Sequence, residues 1–197
     1  MTIVITSTKP SNKPPTEQQF IQTGLSWESF KAIQKGFADS PGVRLFYYRG
    51  ELEILSTSPL HEIVKGNIGF LVEDFMLERG IDFVGTGSFS QEKEEVASVQ
   101  ADESYCFSDA KPIPDLAIEV VITSGGTNKL RRYKELGVQE VWFWEDGVIS
   151  LHYLEPDGYQ KISQSRFLPD LDLKKLAQCA AISSRLQAVR EFRGKTE

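Results

Sequence analysis

The sequence has few of the residues that build disulfide frameworks or soft-metal sites. It contains two cysteines, Cys106 and Cys179, and two histidines among 197 residues. The cysteines lack the close spacing of a zinc site, and both adjoin apolar residues, which predicts buried thiols. The fold is therefore expected to rest on its hydrophobic core.

Long hydrophobic runs are also absent. No apolar stretch approaches the roughly 20 residues that a membrane-spanning helix requires. Residues 1–20 turn polar and proline-rich after a short apolar start, unlike a secretory signal. We expect a cytoplasmic protein with no membrane partner, with a flexible arm over residues 1–20 and a single domain over residues 21–197.

Positive charge is scarce in the middle of the chain. The formal net charge is −6, which argues against nonspecific coating of nucleic acid, because such binding needs Lys and Arg to displace counterions. Residues 51–119 hold fifteen acidic and four basic residues, whereas residues 161–197 hold eight basic and four acidic ones. The acidic middle favours cation binding, and the basic tail is typical of a solvated helix face.

Apolar periodicity predicts an α/β fold. From residue 59 to 145 the pattern predicts the order helix, three strands, helix, strand, in which the last strand is parallel to the strand that bears Glu119. The flanking elements are an N-terminal helix capped by Ser26, a hairpin turning at Arg49-Gly50, and a helical C-terminal extension in one or two pieces. The long helix is predicted to open at Ser58 or Pro59 and to end at Gly80.

Two acidic residues are predicted to converge on neighbouring strands. If the strands "ADESYCF" and "PDLAIEV" pair across "SDAKPI", Asp102 lies opposite Glu119, with Cβ atoms about 5 Å apart. Like charges in that position require a proton, a basic partner or a cation. Mg²⁺, which prefers oxygen ligands and is often held by one or two carboxylates, would meet that requirement.

Four further residues are candidates for the site. Lys129 lies beside the inward line of the following helix, from where its ammonium could stabilise charge on a phosphate. Asp115 shares the face of Glu119 but stands about 13 Å away along the strand, so we expect its carboxylate to accept backbone hydrogen bonds. His61 and Glu62, in the opening turn of the long helix, are possible auxiliary residues, and a capping role is favoured for His61.

These segments, with "NKLRRYKELGVQEVWFWE" and "FLPDLDLKKL", resemble the Uma-two family of candidate restriction endonucleases over roughly residues 24–185. That family is similar to the PD-(D/E)XK nucleases. The resemblance implies a restriction-endonuclease-like core in which Asp102 and Glu119 hold the metal and Lys129 replaces the strand lysine, at whose position Val121 stands. Ala101 stands where a proline usually precedes the first aspartate.

The resemblance implies a Mg²⁺- or Mn²⁺-dependent endonuclease that hydrolyses DNA, with Asp102, Glu119 and Lys129 as catalytic residues. By analogy with nucleases that cut both strands, it also implies a homodimer. Two alternatives stay open at the level of sequence. One is a binding or scaffold module that kept the fold without catalysis, and the other is a hydrolase that uses Asp102 and Glu119 as general acid and base.

Overall fold

The computed structural model describes residues 17–122 and 126–194. Its strands are β1 (Gln18–Gln22), β2 (Val43–Tyr48), β3 (Glu51–Ser56), β4 (Phe83–Gly85), β5 (Ser90–Lys93), β6 (Ala97–Gln100), β7 (Glu103–Phe107), β8 (Leu116–Val121), β9 (Glu140–Glu145), β10 (Val148–Glu155) and β11 (Gly158–Ile162). Its helices are α1 (Trp27–Gly36), α2 (Pro59–Arg79), α3 (Leu130–Leu136), α4 (Leu173–Ala180) and α5 (Arg185–Phe192). A short 3₁₀ turn, Gly126–Lys129, leads into α3.

The helix boundaries follow from local capping. Ser26 and Ser58 accept backbone N–H bonds at the starts of α1 and α2, and Pro59 occupies the first turn of α2. A proline fits there because its missing N–H has no partner in the first turn. Gly80 ends α2 at φ 65°, a conformation that favours glycine. These predicted boundaries of α2 are confirmed.

Two hairpins turn on left-handed dipeptides. Arg49-Gly50 joins β2 to β3 at φ 45° and 90°, and Asp146-Gly147 joins β9 to β10 at φ 48° and 78°. Positive φ at both central residues matches the right-handed twist of the flanking strands. Both predicted hairpins are confirmed.

The strands form two sheets. The five-stranded sheet has the order β1-β3-β2-β6-β5, and the six-stranded sheet has the order β11-β10-β9-β8-β7-β4. All pairs with a described register are antiparallel except β8 and β9, which are parallel and joined through α3. The predicted crossover is therefore confirmed.

The two faces of β8 enter two different cores. Leu116, Ile118 and Val120 pack with α2 and α4, while Ala117 and Val121 pack with α3 and the five-stranded sheet. Helix α1 covers the other face of the five-stranded sheet through a third cluster. Because β8 is buried along its full length, any polar side chain on it needs a partner inside the protein.

The structure corrects three details of the prediction. Gln18–Phe20, assigned to the flexible arm, lie in β1 and pair with β3, while residues 1–16 lie outside the described residues. Between α2 and α3 the chain has five strands rather than three, because the charged segment after Gly87 forms β5 and β6 of the other sheet. Strand β11 was not predicted. Within the described ranges, no helix has the length and apolar character of a membrane span.

The burial of β8 gives a testable stability prediction. Ile118→Ala should lower the free energy of unfolding by about 2–5 kcal/mol, because it leaves a cavity in a close-packed core. The measurement is urea denaturation followed by circular dichroism. The matched control is Ile21→Ala on strand β1, where the side chain is 52% exposed and the expected loss is below about 1 kcal/mol. Equal losses in the two variants would contradict the packing described.

Candidate active site

The acidic pair lies where β7 begins beside the middle of β8. Glu103 pairs with Ile118, which is the predicted register, and this places Asp102, one residue before β7, beside Glu119. The Asp102 N–H donates to the Ile118 carbonyl at 3.1 Å, and the Val120 N–H donates to Asp102 Oδ2 at 2.6 Å. Both carboxylates are buried, with Asp102 1% and Glu119 0% exposed.

Glu119 is held by two side chains from the turn and helix that follow it. Lys129 Nζ donates to Glu119 Oε2 at 2.7 Å, and the Tyr133 hydroxyl donates to Oε1. The ammonium also lies 4.6 Å from the centroid of the Phe46 ring, in cation–π contact. Lys129, the last residue of the 3₁₀ turn before α3, therefore points into the protein and reaches Glu119.

Asp102 is held by side chains from β2 and α2. The Arg44 guanidinium forms an ion pair with Asp102 Oδ1 and donates to the Ala101 carbonyl at 3.3 Å. His61 Nε2 lies 3.2 Å from the same carboxylate oxygen. All of these side chains are buried, so their charges interact in a region of low dielectric, where unpaired charge is costly.

The structure answers how two carboxylates tolerate each other's proximity. Of the three solutions that the sequence left open, a proton, a basic partner or a cation, the described residues provide basic partners. Arg44 and His61 accompany Asp102, and Lys129 accompanies Glu119. Each of the two acids is therefore paired with a basic side chain of the protein itself.

Burial and the neighbouring charges together shift the pKa values of Asp102 and Glu119 in opposite directions. Burial alone would raise the pKa of Asp102, but the His61 hydrogen bond and the Arg44 charge outweigh it and lower the pKa to about 2. Burial raises the pKa of Glu119, assisted by the charge of Asp102 and opposed by Lys129. For Lys129, burial is outweighed by the two carboxylates, so its pKa is raised and the ammonium stays charged.

Of the three auxiliary candidates, His61 and Glu62 lie near Asp102, whereas Asp115 does not. The backbone N–H of His61 donates to the side chain of Ser58, which is the N-cap of α2. The His61 imidazole does not cap the helix: its Nε2 lies 3.2 Å from Asp102 Oδ1 and its Nδ1 lies 3.3 Å from Glu62 Oε1. Asp115 accepts the Phe107 N–H at 2.8 Å and the Lys111 ammonium at 2.6 Å. Phe107 is the last residue of β7 and Lys111 lies in the loop after it, so the Asp115 carboxylate is bound at the end of β7 opposite to Asp102.

Three residues of the site were not predicted from sequence. Arg44, Tyr133 and Phe46 surround the acids from β2 and α3. One signal was present, because Arg44 alternates with Leu45 and shares the inward face of Phe46, where a charged residue requires a buried partner. The partner itself lies 58 positions away in the chain and cannot be read from local spacing.

A second ion pair fixes α3 behind the site. Arg132 donates to Glu53 Oε2 at 2.6 Å, and its guanidinium lies 5.3 Å from the Phe46 ring. Phe46 is thus contacted by both cations, Lys129 and Arg132. Burial would raise the pKa of Glu53, but the charge of Arg132 outweighs it and the pKa is lowered. The 3₁₀ turn that carries Lys129 therefore leads directly into a helix that is anchored to the five-stranded sheet.

The two carboxylates of the site provide the oxygen ligands that a hard cation prefers. Mg²⁺ is commonly bound by one or two carboxylates, with water and substrate phosphate completing the shell. Asp102 and Glu119 provide two carboxylates from adjacent strands. Over residues 17–122 and 126–194, no group of three or more His, Cys, Asp or Glu side chains is arranged to hold a metal ion. The pair fits an ion whose remaining ligands come from water and substrate, and does not form an all-protein cage.

The buried ion pair gives a second prediction. Lys129→Met should lower the free energy of unfolding at pH 7 by about 3–5 kcal/mol, because it leaves the Glu119 charge without its cation. Adding Glu119→Gln to that variant should recover much of the lost stability, because it removes the unpaired buried charge. Urea denaturation measures both changes.

The control for this prediction is an exposed ion pair. Arg79→Met removes the pair with Asp170, whose side chains are 54% and 72% exposed, and should cost less than about 1 kcal/mol. Equal losses for Lys129→Met and Arg79→Met would show that the buried pair is not held as described.

A third prediction concerns Glu103, whose carboxyl packs against Gly69 of α2. Burial raises the pKa of Glu103 from 4.5 to about 7, with Glu73 and Asp102 adding to the shift and Lys65 opposing it. Since the folded state binds the proton more tightly, stability should fall as pH rises from about 4.5 to 7. Glu103→Gln should remove roughly 1–2 kcal/mol of that fall, after allowance for partial exposure.

The measurement is the free energy of unfolding of both proteins between pH 5 and 8. Glu94→Gln, at an exposed loop position, is the matched control and should leave the pH dependence of the wild type unchanged. Parallel pH profiles for wild type and Glu103→Gln would refute the assignment.

Comparison with known proteins identifies the family. A search of curated proteins found no match to the chain. A family model, Uma2, described as "Putative restriction endonuclease", matches residues 27–183. This span runs from the start of α1 past the end of α4 and includes every residue of the site described above. It confirms the family resemblance expected from the sequence, and the chain belongs to the Uma2 family.

Proposed function

We propose that the protein is an endonuclease that hydrolyses DNA phosphodiester bonds with the help of Mg²⁺ or Mn²⁺. The observation that carries the proposal is the convergence of Asp102, Glu119 and Lys129, with the ammonium 2.7 Å from one carboxylate and a pKa of Glu119 that responds to both neighbours. In metal-assisted phosphodiester hydrolysis, carboxylates hold the ion, and the ion together with a positive side chain stabilises the charge of the pentavalent phosphate.

Asp102 and Glu119 would hold the ion. When bound there, a divalent cation polarises the phosphoryl oxygen and lowers the pKa of the attacking water. The chain holds both carboxylates in place before the ion arrives, since the Val120 N–H fixes Asp102 and the Tyr133 hydroxyl fixes Glu119. Such preorganisation avoids reorienting the ligands during the reaction.

Lys129 would supply a positive charge that stabilises the negative charge of the substrate phosphate. Its ammonium stays protonated because the two carboxylates raise its pKa. An ammonium beside the metal ligands is placed to orient a water or to stabilise negative charge on the transferred phosphoryl group. Arg44 and His61 act one step further out, by orienting Asp102.

A catalytically inactive binding or scaffold module is the second candidate. The observation in its favour is that Arg44, His61 and Lys129 already neutralise both acids. The aromatic strand "VWFWE" gives it no support, because β9 lies between β8 and β10 and its aromatic residues are buried. Catalysis therefore requires that ion and substrate compete successfully with the protein's own cations.

The test is cleavage of supercoiled and single-stranded DNA with Mg²⁺, Mn²⁺ or EDTA. Asp102→Asn, Glu119→Gln and Lys129→Ala should each lower the cleavage rate by about a hundredfold or more, as expected when transition-state charge loses a partner. Asp146→Asn, Glu145→Gln and Lys174→Ala make the same chemical changes at exposed positions and should retain wild-type rates.

Thermal melting of each variant separates lost chemistry from lost folding. Absence of cleavage in the wild type under all conditions, together with no heat of Mn²⁺ binding in calorimetry, would favour the scaffold. Cleavage that persists in EDTA and responds only to the two acids would overturn the metal-dependent mechanism.

A further inference from the structure

Helix α2 carries an exposed apolar line although most of the helix is buried. Ile63, Phe70 and Leu77 are 37%, 43% and 70% exposed and follow one another at intervals of seven residues. Seven residues are close to two helical turns, so the three side chains lie along one line that is about 21 Å long. We call this line the α2 stripe. A seven-residue apolar repeat is the pattern by which one helix packs along another.

Helix α5 borders the α2 stripe on one side. The guanidinium of Arg185 lies 5.7 Å from the centroid of the Phe70 ring, and Arg193 Nε donates to Asp74 Oδ2 at 2.9 Å. Leu186 precedes Arg193 by seven positions and therefore shares its face of α5. Its side chain is 63% exposed, so an apolar residue of α5 widens the exposed apolar surface beside α2.

We infer that the protein forms a homodimer in which two copies of α2 pack antiparallel along the α2 stripe, with Phe70 at the twofold axis. A symmetric dimer uses the same surface of both copies, so that surface must match itself after the rotation. The stripe meets this condition, because Ile63 precedes Phe70 by seven positions and Leu77 follows it by seven. Each Ile63 then packs against Leu77 of the partner subunit. The inference does not depend on the proposed nuclease activity.

Charge complementarity favours a second copy of this chain over an unrelated partner. The Arg185 guanidinium covers Gly66, with Nη2 2.5 Å from the point that a Cβ of Gly66 would occupy. Glu73 follows Gly66 by seven positions, so both lie on the same side of the α2 stripe. Gly66 precedes Phe70 by four positions and Glu73 follows it by three, so antiparallel packing about Phe70 brings Glu73 to the partner's Arg185.

Both charged side chains are available for this contact. Arg185 is exposed and Glu73 is partly exposed. Within residues 17–122 and 126–194, Arg185 donates to Asn67 Oδ1 at 3.5 Å and Glu73 accepts from the Tyr105 hydroxyl at 3.4 Å, but neither forms an ion pair. The dimer would give each of them an oppositely charged partner, twice over by symmetry.

The experiment measures the molar mass of the full chain by light scattering after gel filtration, and the dimer dissociation constant by sedimentation equilibrium. Wild-type protein should have a mass close to twice the 22.2 kDa of the chain. Phe70→Glu places two carboxylates at the twofold axis and should weaken the dimer by about a hundredfold or more, because like charges then face each other. Thermal melting checks that this variant still folds.

Charge reversal tests the register of the two helices. Glu73→Arg and Arg185→Glu should each weaken the dimer by about tenfold or more, since each brings like charges together. The variant with both changes should dimerise nearly as tightly as wild type, because opposite charges meet again. Within the described residues of one chain these two side chains form no ion pair, so such recovery requires a contact between subunits.

The matched controls make the same kinds of change away from the α2 stripe. Val148→Glu replaces a 64% exposed apolar residue of β10, and Arg166→Glu reverses a 51% exposed arginine that pairs with Glu155. Both should keep the wild-type mass and dissociation constant. The mass of a single chain at every concentration, an unweakened dimer in Phe70→Glu, or a double charge reversal that dimerises no better than the single ones would each overturn the inference.

Discussion

The contact between Lys129 and Glu119 is the interaction on which the site depends. Glu119 lies on β8, buried on both faces, and would be an isolated charge beside Asp102 without a cation. Lys129 supplies that cation from the turn that opens α3, and Tyr133, one helical turn later, completes the hydrogen bonding. Helix α3 is also the crossover between the parallel strands β8 and β9. The connection that makes these strands parallel therefore also places Lys129 beside Glu119.

Local patterns were sufficient to predict the acidic pair. Residues 108–115 connect β7 to β8. Centring the turn within this segment and following the alternation along both strands gave the register and the position of Asp102 beside Glu119. Lys129 could be placed because it adjoins the inward residues Leu130 and Tyr133 of a helix. These inferences need only neighbours in sequence, where strand and helix periodicity carry the information.

Contacts between distant segments were beyond that reasoning. Arg44 meets Asp102 only because β2 and β6 pair and bring the five-stranded sheet against β8. Residues 18–20 of β1 were assigned to a loose arm because the segment before them is polar and proline-rich. All five residues of β1 are exposed, so no buried face marks the strand in the sequence. Strands β5 and β6 were hidden in a glutamate-rich segment whose charges find partners, such as Lys31 for Glu92, only in the folded protein.

The site is preorganised, and its acids are paired with the protein's own cations, so an ion that binds there as we propose has to compete with Arg44 and Lys129 for the carboxylate oxygens. Anomalous diffraction from crystals soaked in Mn²⁺ tests this claim most directly. The account predicts one ion bound by both Asp102 and Glu119 at roughly 2–2.5 Å, with Lys129 still beside Glu119. Mn²⁺ bound elsewhere, or carboxylates that keep only Arg44, His61 and Lys129 at saturating metal, would contradict it.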